Sequence, residues 1–436
     1  MDVSLRFLAY LTYTPIAIGI ALYRPLWGLY ALIFLYYFRP DVWGTPDWFQ
    51  PVYWISVACI VGWAIHARDL RITPSIIVAS LLLLTMIVSS FTAVRSREAS
   101  FGVTTVILKL IVMMFLVTQL VRNIEDLKRF LWVNIFGNIW NTKSVIVSTI
   151  AGGGSARVDV GSGQGGGANY LAMIFAMGLP LLFFRFINGA RWERRAAFCI
   201  APLYIVSIVG TGSRGGFLTV FCVMVFLIWK SNRRVLGCFV MLLTMIGLLA
   251  VMPQEKWDRF AATFKRSGPD QSIGQGESRL VLWRAGFTMF NMSPITGVGH
   301  DNYQILSPRI AGFFAGKTLR PYDPTLEGRK GYRGFVAHST WIQSLADGGV
   351  LFFFPLAVLF GMSFLLLRRI SRMRLMGPIG SELYIYSQIL TGTLLGFVIA
   401  GSFGSYIKFD PIWWLLGAIA SFGIIAREKR AEALNG

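Results

Sequence analysis

The chain has 436 residues, of which 55% are hydrophobic and only 14% charged. A soluble domain carries about 25% charged residues, so the composition excludes an ordinary soluble protein and points to a polytopic membrane protein. The formal net charge of +20 does not mark a nucleic-acid binder, because much of it sits in short runs between apolar segments, where it sets topology.

In chain order, Leu5 to Ile20 is apolar, but its only basic residue is Arg6 and no A-x-A-like site follows. It is therefore not expected to be a cleaved signal peptide. Residues 5–38 break at Tyr23-Arg24-Pro25, as one interrupted helix or two short ones. A bilayer crossing needs roughly 20 apolar residues. Candidate spans follow at 51–66, 73–94, 101–121, 130–150, 169–188, 196–211, 216–229, 235–252, 350–367, 382–402 and 411–426. The cysteines Cys59, Cys199, Cys222 and Cys238 all fall in apolar segments without a CxxC pair. They give no sign of a disulfide framework or a zinc site.

Lysine and arginine in short loops face the cytoplasm. That rule puts HARDLR (66–71), RNIEDLKR (122–129), ARWERR (190–195), KSNRR (230–234), RRISRMR (368–374) and REKR (427–430) on one side. The other side receives 39–50, 95–100, the glycine-rich 151–168, 212–215, 253–349 and 403–410, with Arg95 and Arg97 as exceptions. Counting 5–38 as a single crossing gives about twelve spans and a cytoplasmic Met1, whereas two crossings there would place Met1 outside. The expected fold class is thus all-α, a polytopic transmembrane helical bundle with one long, partly helical periplasmic loop. Four parts are expected: N-terminal helices (1–168), central helices (169–252), the loop (253–349), and C-terminal helices with a cytoplasmic tail (350–436).

The 97-residue segment 253–349 is long for a connection, and such loops are usually functional. Within it, 277–292 has apolar residues near helical spacing and stops at Ser293-Pro294, a helix-ending pair. A glycine-punctuated turn, GVGHDNY (297–303), follows, and the pattern is helical again from His338. GSGQGGG (161–167) lacks the Lys-Ser/Thr of a phosphate loop and reads as a flexible loop.

Charged groups held at the membrane surface are costly, which makes them candidates for function. Arg214 lies in the tight turn TGSRGG (211–216). Glycines there would let backbone approach a ligand, and the guanidinium fork suits phosphate oxygens. The alternative is an interfacial arginine reaching lipid phosphate. Arg279 and Arg284 are five apart, about 140° around a helix, so they need not share a face. His338 opens a helix-like segment, and imidazole chemistry suits proton transfer near neutrality. The alternative is a packed or capping histidine. His300 reads as a turn residue and His66 falls on the opposite side. Arginines with one histidine and no close acidic pair suit an anionic, lipid-anchored substrate such as a diphosphate. Asp41 and Asp47 are not a D-x-D pair, so no metal site is expected.

TGSRGG, then R-x-x-x-W (279–283), then PITGVG (294–299), then AHSTWIQSLADGGVLF (337–352) is an order that resembles the bacterial O-antigen ligase family. That signature region is shared with O-antigen polymerases and O-oligosaccharyltransferases. The likeness covers about residues 170–426. Ser339 stands where the family more often has Asn. The resemblance implies a GT-C-like inner-membrane glycosyltransferase that moves a glycan from undecaprenyl diphosphate to the lipid A-core oligosaccharide at the periplasmic face. It implies no metal and no cofactor, His338 as general base, and Arg214 and Arg279 on the diphosphate, with Arg284 a further candidate; direct displacement by an acceptor hydroxyl would then invert the sugar. Expected partners are the lipid-linked donor, the acceptor and membrane lipids, without nucleic acid and with the chain as a monomer. A polymerase or protein O-oligosaccharyltransferase using the same donor, or a lipid-linked glycan transporter, is the alternative.

Overall fold

The structure, a computed structural model, describes residues 5–38, 49–67, 69–151, 167–231, 234–235, 237–238, 279–314, 334–373 and 377–435. Among the described residues the regular structure is all helical. The helices are α1 (Leu5–Tyr23), α2 (Pro25–Phe38), α3 (Pro51–His66), α4 (Pro74–Phe91), α5 (Arg97–Leu120), α6 (Ile124–Ala151), α7 (Ala168–Asn188), α8 (Arg191–Thr211) and α9 (Arg214–Lys230). Then come α10 (Arg279–Met292), α11 (Asn302–Phe314), α12 (Thr340–Ser371), α13 (Gly377–Gly401) and α14 (Asp410–Asn435). Six of them, α4, α5, α7, α8, α12 and α13, are long and apolar enough to cross a membrane. All but residues 235, 237 and 238 of the expected span 235–252 lie outside the described residues, as do Asp41, Asp47 and most of 161–167.

Helix starts follow local chemistry. Thr73, Ser96, Ser213 and Ser339 each cap a helix, their hydroxyls accepting from Ile76, Ala99, Gly216 and Ile342 N–H groups. Such caps satisfy amides that a helix leaves without partners. Helix α7 is the central post. The apolar window of α7 is 83% buried, against 39% in α4, so α7 faces protein on all sides and α4 faces outward on one. Around α7 pack α8, α9 and α13, while α14 lies on α5 and α12 on α4.

The twelve-span count took 5–38 as one crossing. Instead α1 and α2 lie side by side as an antiparallel hairpin with only Arg24 between them. The Tyr13 hydroxyl donates to the Ala31 carbonyl at 2.8 Å, and Gly28 sits so close that a Cβ there would lie 2.4 Å from that of Ala21. A break of one residue looks the same in sequence whether the chain continues or reverses. The hairpin puts residue 5 at the same end as residue 38.

Contacts sort the connections between the two ends of the bundle. At one end Arg122 pairs with Asp69 at 2.6 Å, Arg71 with Glu428 at 3.2 Å, and Lys128 with Glu193 at 3.8 Å. Arg122 holds the Asp69 carboxyl below its ordinary range by hydrogen bonding. At the other end meet the α4–α5 turn, the α8–α9 turn, residues 293–301, residues 334–339 and the α13–α14 loop. A small separate core of Leu282, Met289, Val298, Tyr303, Ala337 and neighbours caps that second end.

Candidate active site

The site is built from loops that lock to one another. Helix α12 begins ten residues before the expected span 350–367 because two helices join across a kink at Gly349 (φ 61°, ψ −165°). The kink frees backbone groups, and PITGVG satisfies them. Val298 and Gly299 N–H donate to the Ala346 and Asp347 carbonyls at 3.0 and 2.8 Å. Val350 and Leu351 N–H donate to the Pro294 and Ile295 carbonyls at 2.9 and 3.0 Å. Only glycine fits at the crossing: Gly349 has positive φ, and a Cβ there would lie 2.4 Å from the Ile295 carbonyl oxygen. Asp347 is buried and accepts the Tyr303 N–H at 2.8 Å, thereby capping α11 from another helix.

His338 sits one residue before the Ser339 cap, half-buried. Its φ of 49° places a non-glycine residue in the left-handed region, a strained conformation that persists where surroundings enforce it. They do so through Ala337. The Trp283 indole donates to the Ala337 carbonyl at 3.1 Å, and the Ala337 N–H donates to Gln343 Oε1 at 3.4 Å. The tryptophan of R-x-x-x-W thus fixes the peptide that leads into His338.

Just past the histidine, Thr340 Oγ1 donates to the Gly404 carbonyl at 2.8 Å and accepts the Tyr406 N–H at 2.9 Å. Trp341 donates to Ser402 Oγ at 3.2 Å. These bonds hold the α13–α14 loop, which presents Phe403. The Arg279 guanidinium lies over the Phe403 ring, 5.3 Å from its centroid, an arrangement in which the cation is attracted by the ring face. On α9, Gly215 backs onto the same residue: a Cβ there would lie 2.8 Å from Phe403 Cβ. Arg214 is the neighbour of Gly215 and is exposed. Phe403 therefore joins Arg279, the Arg214 turn and the segment after His338. Sequence reasoning missed it, since nothing in GSFGSY (401–406) marks one aromatic residue as a shared wall.

In TGSRGG, Gly212 adopts φ 61° to end α8, and a Cβ on Gly216 would lie 2.4 Å from that of Ala172, so both glycines have a packing role. As their spacing allowed, Arg279 and Arg284 do not share a face: Arg279 is half-buried over Phe403, whereas Arg284 is exposed.

His300 is a buried turn residue, as expected, edge-on to Phe352 at 4.8 Å. Burial, with Lys408 adding to it, pulls its pKa down to about 3, so it is neutral. Its Nε2 and the Ser344 and Ser405 hydroxyls lack partners among the described residues, and all three residues line a cavity of about 20 Å³, room for one water. Lys408 pairs with Asp301 at 2.7 Å and ties the Phe403 loop to the 297–301 turn. His66 lies at the opposite end, its Nδ1 2.8 Å from the Gly62 carbonyl. Among the described residues no three His, Cys, Asp or Glu side chains could together hold a metal ion.

No curated protein matches the chain at a significant level. Residues 197–357 match the family described as O-antigen ligase, a stretch that holds Arg214, Arg279, Trp283, the 294–299 crossing, His338 and the Gly349 kink, though not Phe403. Over that stretch this multi-helix chain is similar to the O-antigen ligase family.

Proposed function

We propose that the chain is a glycosyltransferase that joins a glycan carried on undecaprenyl diphosphate to a hydroxyl of the lipid A-core oligosaccharide. The reaction takes place at the periplasmic face of the inner membrane. His338 takes the proton of the acceptor hydroxyl. The oxygen attacks the anomeric carbon, the bond from that carbon to the diphosphate oxygen breaks, and the electron pair leaves with undecaprenyl diphosphate. Arg279 and Arg214 neutralise the charge that develops on the leaving group, with Arg284 as an outer contact. A single displacement inverts the anomeric centre and needs no metal.

The observation that carries this reading is the junction at Phe403. It gathers Arg279, the Arg214 turn and the segment that begins at His338, three places separated by tens of residues in sequence. A transporter would need its arginines at mid-depth, whereas these belong to one end of the bundle.

The test supplies membranes containing the protein with a defined labelled lipid-linked donor and, in turn, lipid A-core, growing lipid-linked glycan and protein acceptors. Label in lipid A-core is expected, with EDTA leaving the rate unchanged. Label only in protein or only in longer lipid-linked chains would reassign the acceptor. Transport without bond formation would overturn the reading.

A further inference from the structure

The short turn between α4 and α5 carries two arginines, Arg95 and Arg97, at the same end of the bundle as the candidate site. Short loops on that side are otherwise poor in lysine and arginine by the charge alternation. Both side chains are exposed, and neither forms an ion pair with a described residue. Basic residues that run against topology, without an ion-pair partner among the described residues, need a reason.

The backbone beneath them is rigid. The buried Asn302 accepts the Arg95 and Ser96 N–H groups at 2.9 and 2.7 Å, and donates to the Ser96 carbonyl at 2.9 Å. The Val94 N–H donates to the Val298 carbonyl at 2.9 Å, and the His300 N–H to Ser100 Oγ at 2.9 Å. Gly299 leaves room for the turn: a Cβ on it would lie 2.5 Å from that of Ala93. The Val298 and Gly299 amides bond in turn to Ala346 and Asp347, in the helical segment that starts just after His338. The backbone that carries Arg95 and Arg97 is thus bolted, through one layer of backbone, to the segment that holds the proposed base.

They stand apart from the arginines proposed for the donor. Arg214 and Arg279 gather at Phe403, on the α9 and α13 side, whereas Arg95 and Arg97 come from α4 and α5 across the 294–302 crossing. We infer that Arg95 and Arg97 form a docking surface for the phosphate groups of the acceptor glycolipid. Their forks suit phosphate oxygens, and the rigid turn sets the distance from docked phosphate to reacting hydroxyl. This rests on the ligase reading, because that reading supplies an anionic acceptor.

The test uses the full-length protein in vesicles of neutral lipid and the double variant Arg95→Gln/Arg97→Gln, which keeps the Ser96 cap and the Asn302 bonds. Two acceptors are compared, a phosphorylated glycolipid and its dephosphorylated form. The variant should raise KM for the phosphorylated acceptor on the order of tenfold. It should leave donor KM unchanged and match the parent protein on the dephosphorylated acceptor. The Arg95→Lys/Arg97→Lys variant should fall between them.

Equal KM for the phosphorylated acceptor in parent and double variant would overturn the inference. An equal loss with both acceptors would also overturn it, and would point to anchoring on bilayer phosphates. Direct titration of the phosphorylated glycolipid onto each protein reads the same contacts without turnover. If the parent protein binds it but transfers nothing, the ligase reading falls while the binding difference still decides the role of the turn.

Discussion

His338 is the residue whose conformation says most. A left-handed φ of 49° on a histidine is of order 1–3 kcal/mol uphill, and two bonds to the preceding peptide hold it there. A base that must meet a hydroxyl within hydrogen-bond reach gains from such restraint. Trp283→Phe keeps the ring and removes the indole donor to Ala337. The single lost bond costs about 1 kcal/mol of stability. The expected kinetic outcome is a lowered kcat with donor KM retained, measured by initial-rate transfer assays. An unchanged kcat would show that the Trp283 bond does not position the proposed base.

Among elements, the broken helix α12 is the hinge of the site. Its halves meet at Gly349, where the 294–299 segment replaces the helical bonds that the kink gives up. Gly349→Ala places a methyl 2.4 Å from the Ile295 carbonyl oxygen at a positive φ. The two elements must part, and a loss of roughly 2–4 kcal/mol is expected. Thermal unfolding in detergent should show a clear drop in midpoint for Gly349→Ala and little change for Gly361→Ala. Gly361 lies mid-helix in α12 with open space around it. Equal midpoints would mean that the crossing is not tight.

The same elements show what a reader of the sequence can and cannot extract. Spans 51–66, 169–188 and 216–229 match α3, α7 and α9 within two residues, because a bilayer demands long apolar runs and those runs are local. The helix at 279–292 was legible from its spacing and from Ser293-Pro294. The Gly349 kink was not, since its cause is backbone pairing with residues some fifty positions earlier. The reversal at Arg24 was invisible because a one-residue break carries no direction. His338, Arg214 and Arg279 stood out as polar groups beside apolar runs. The α13–α14 loop, where Phe403 meets Arg279 and Gly215 and where Gly404 meets Thr340, did not, because an aromatic residue near a membrane surface is ordinary.

At the scale of the whole molecule, one end carries ion pairs such as Arg122 with Asp69 and Arg71 with Glu428, and the other carries the Phe403 junction. The half-exposed Arg122–Asp69 pair contributes little to stability, so charge substitution there is expected to be tolerated, whereas Glu193 in the Lys128 pair is buried and its loss costs more. The second end gathers α9, α10, α12 and the α13–α14 loop, and its residues should act as one unit. Groups that act as a unit give losses that do not add. The most direct measurement is therefore a cycle of transfer rates for His338→Ala, Arg279→Ala and the double variant, all with the same lipid-linked donor. We predict that His338→Ala lowers the rate by roughly 100-fold or more, and that the double variant is scarcely slower than the slower single variant. Wild-type transfer by His338→Ala, or losses that multiply through the double variant, would contradict a single centre at Phe403.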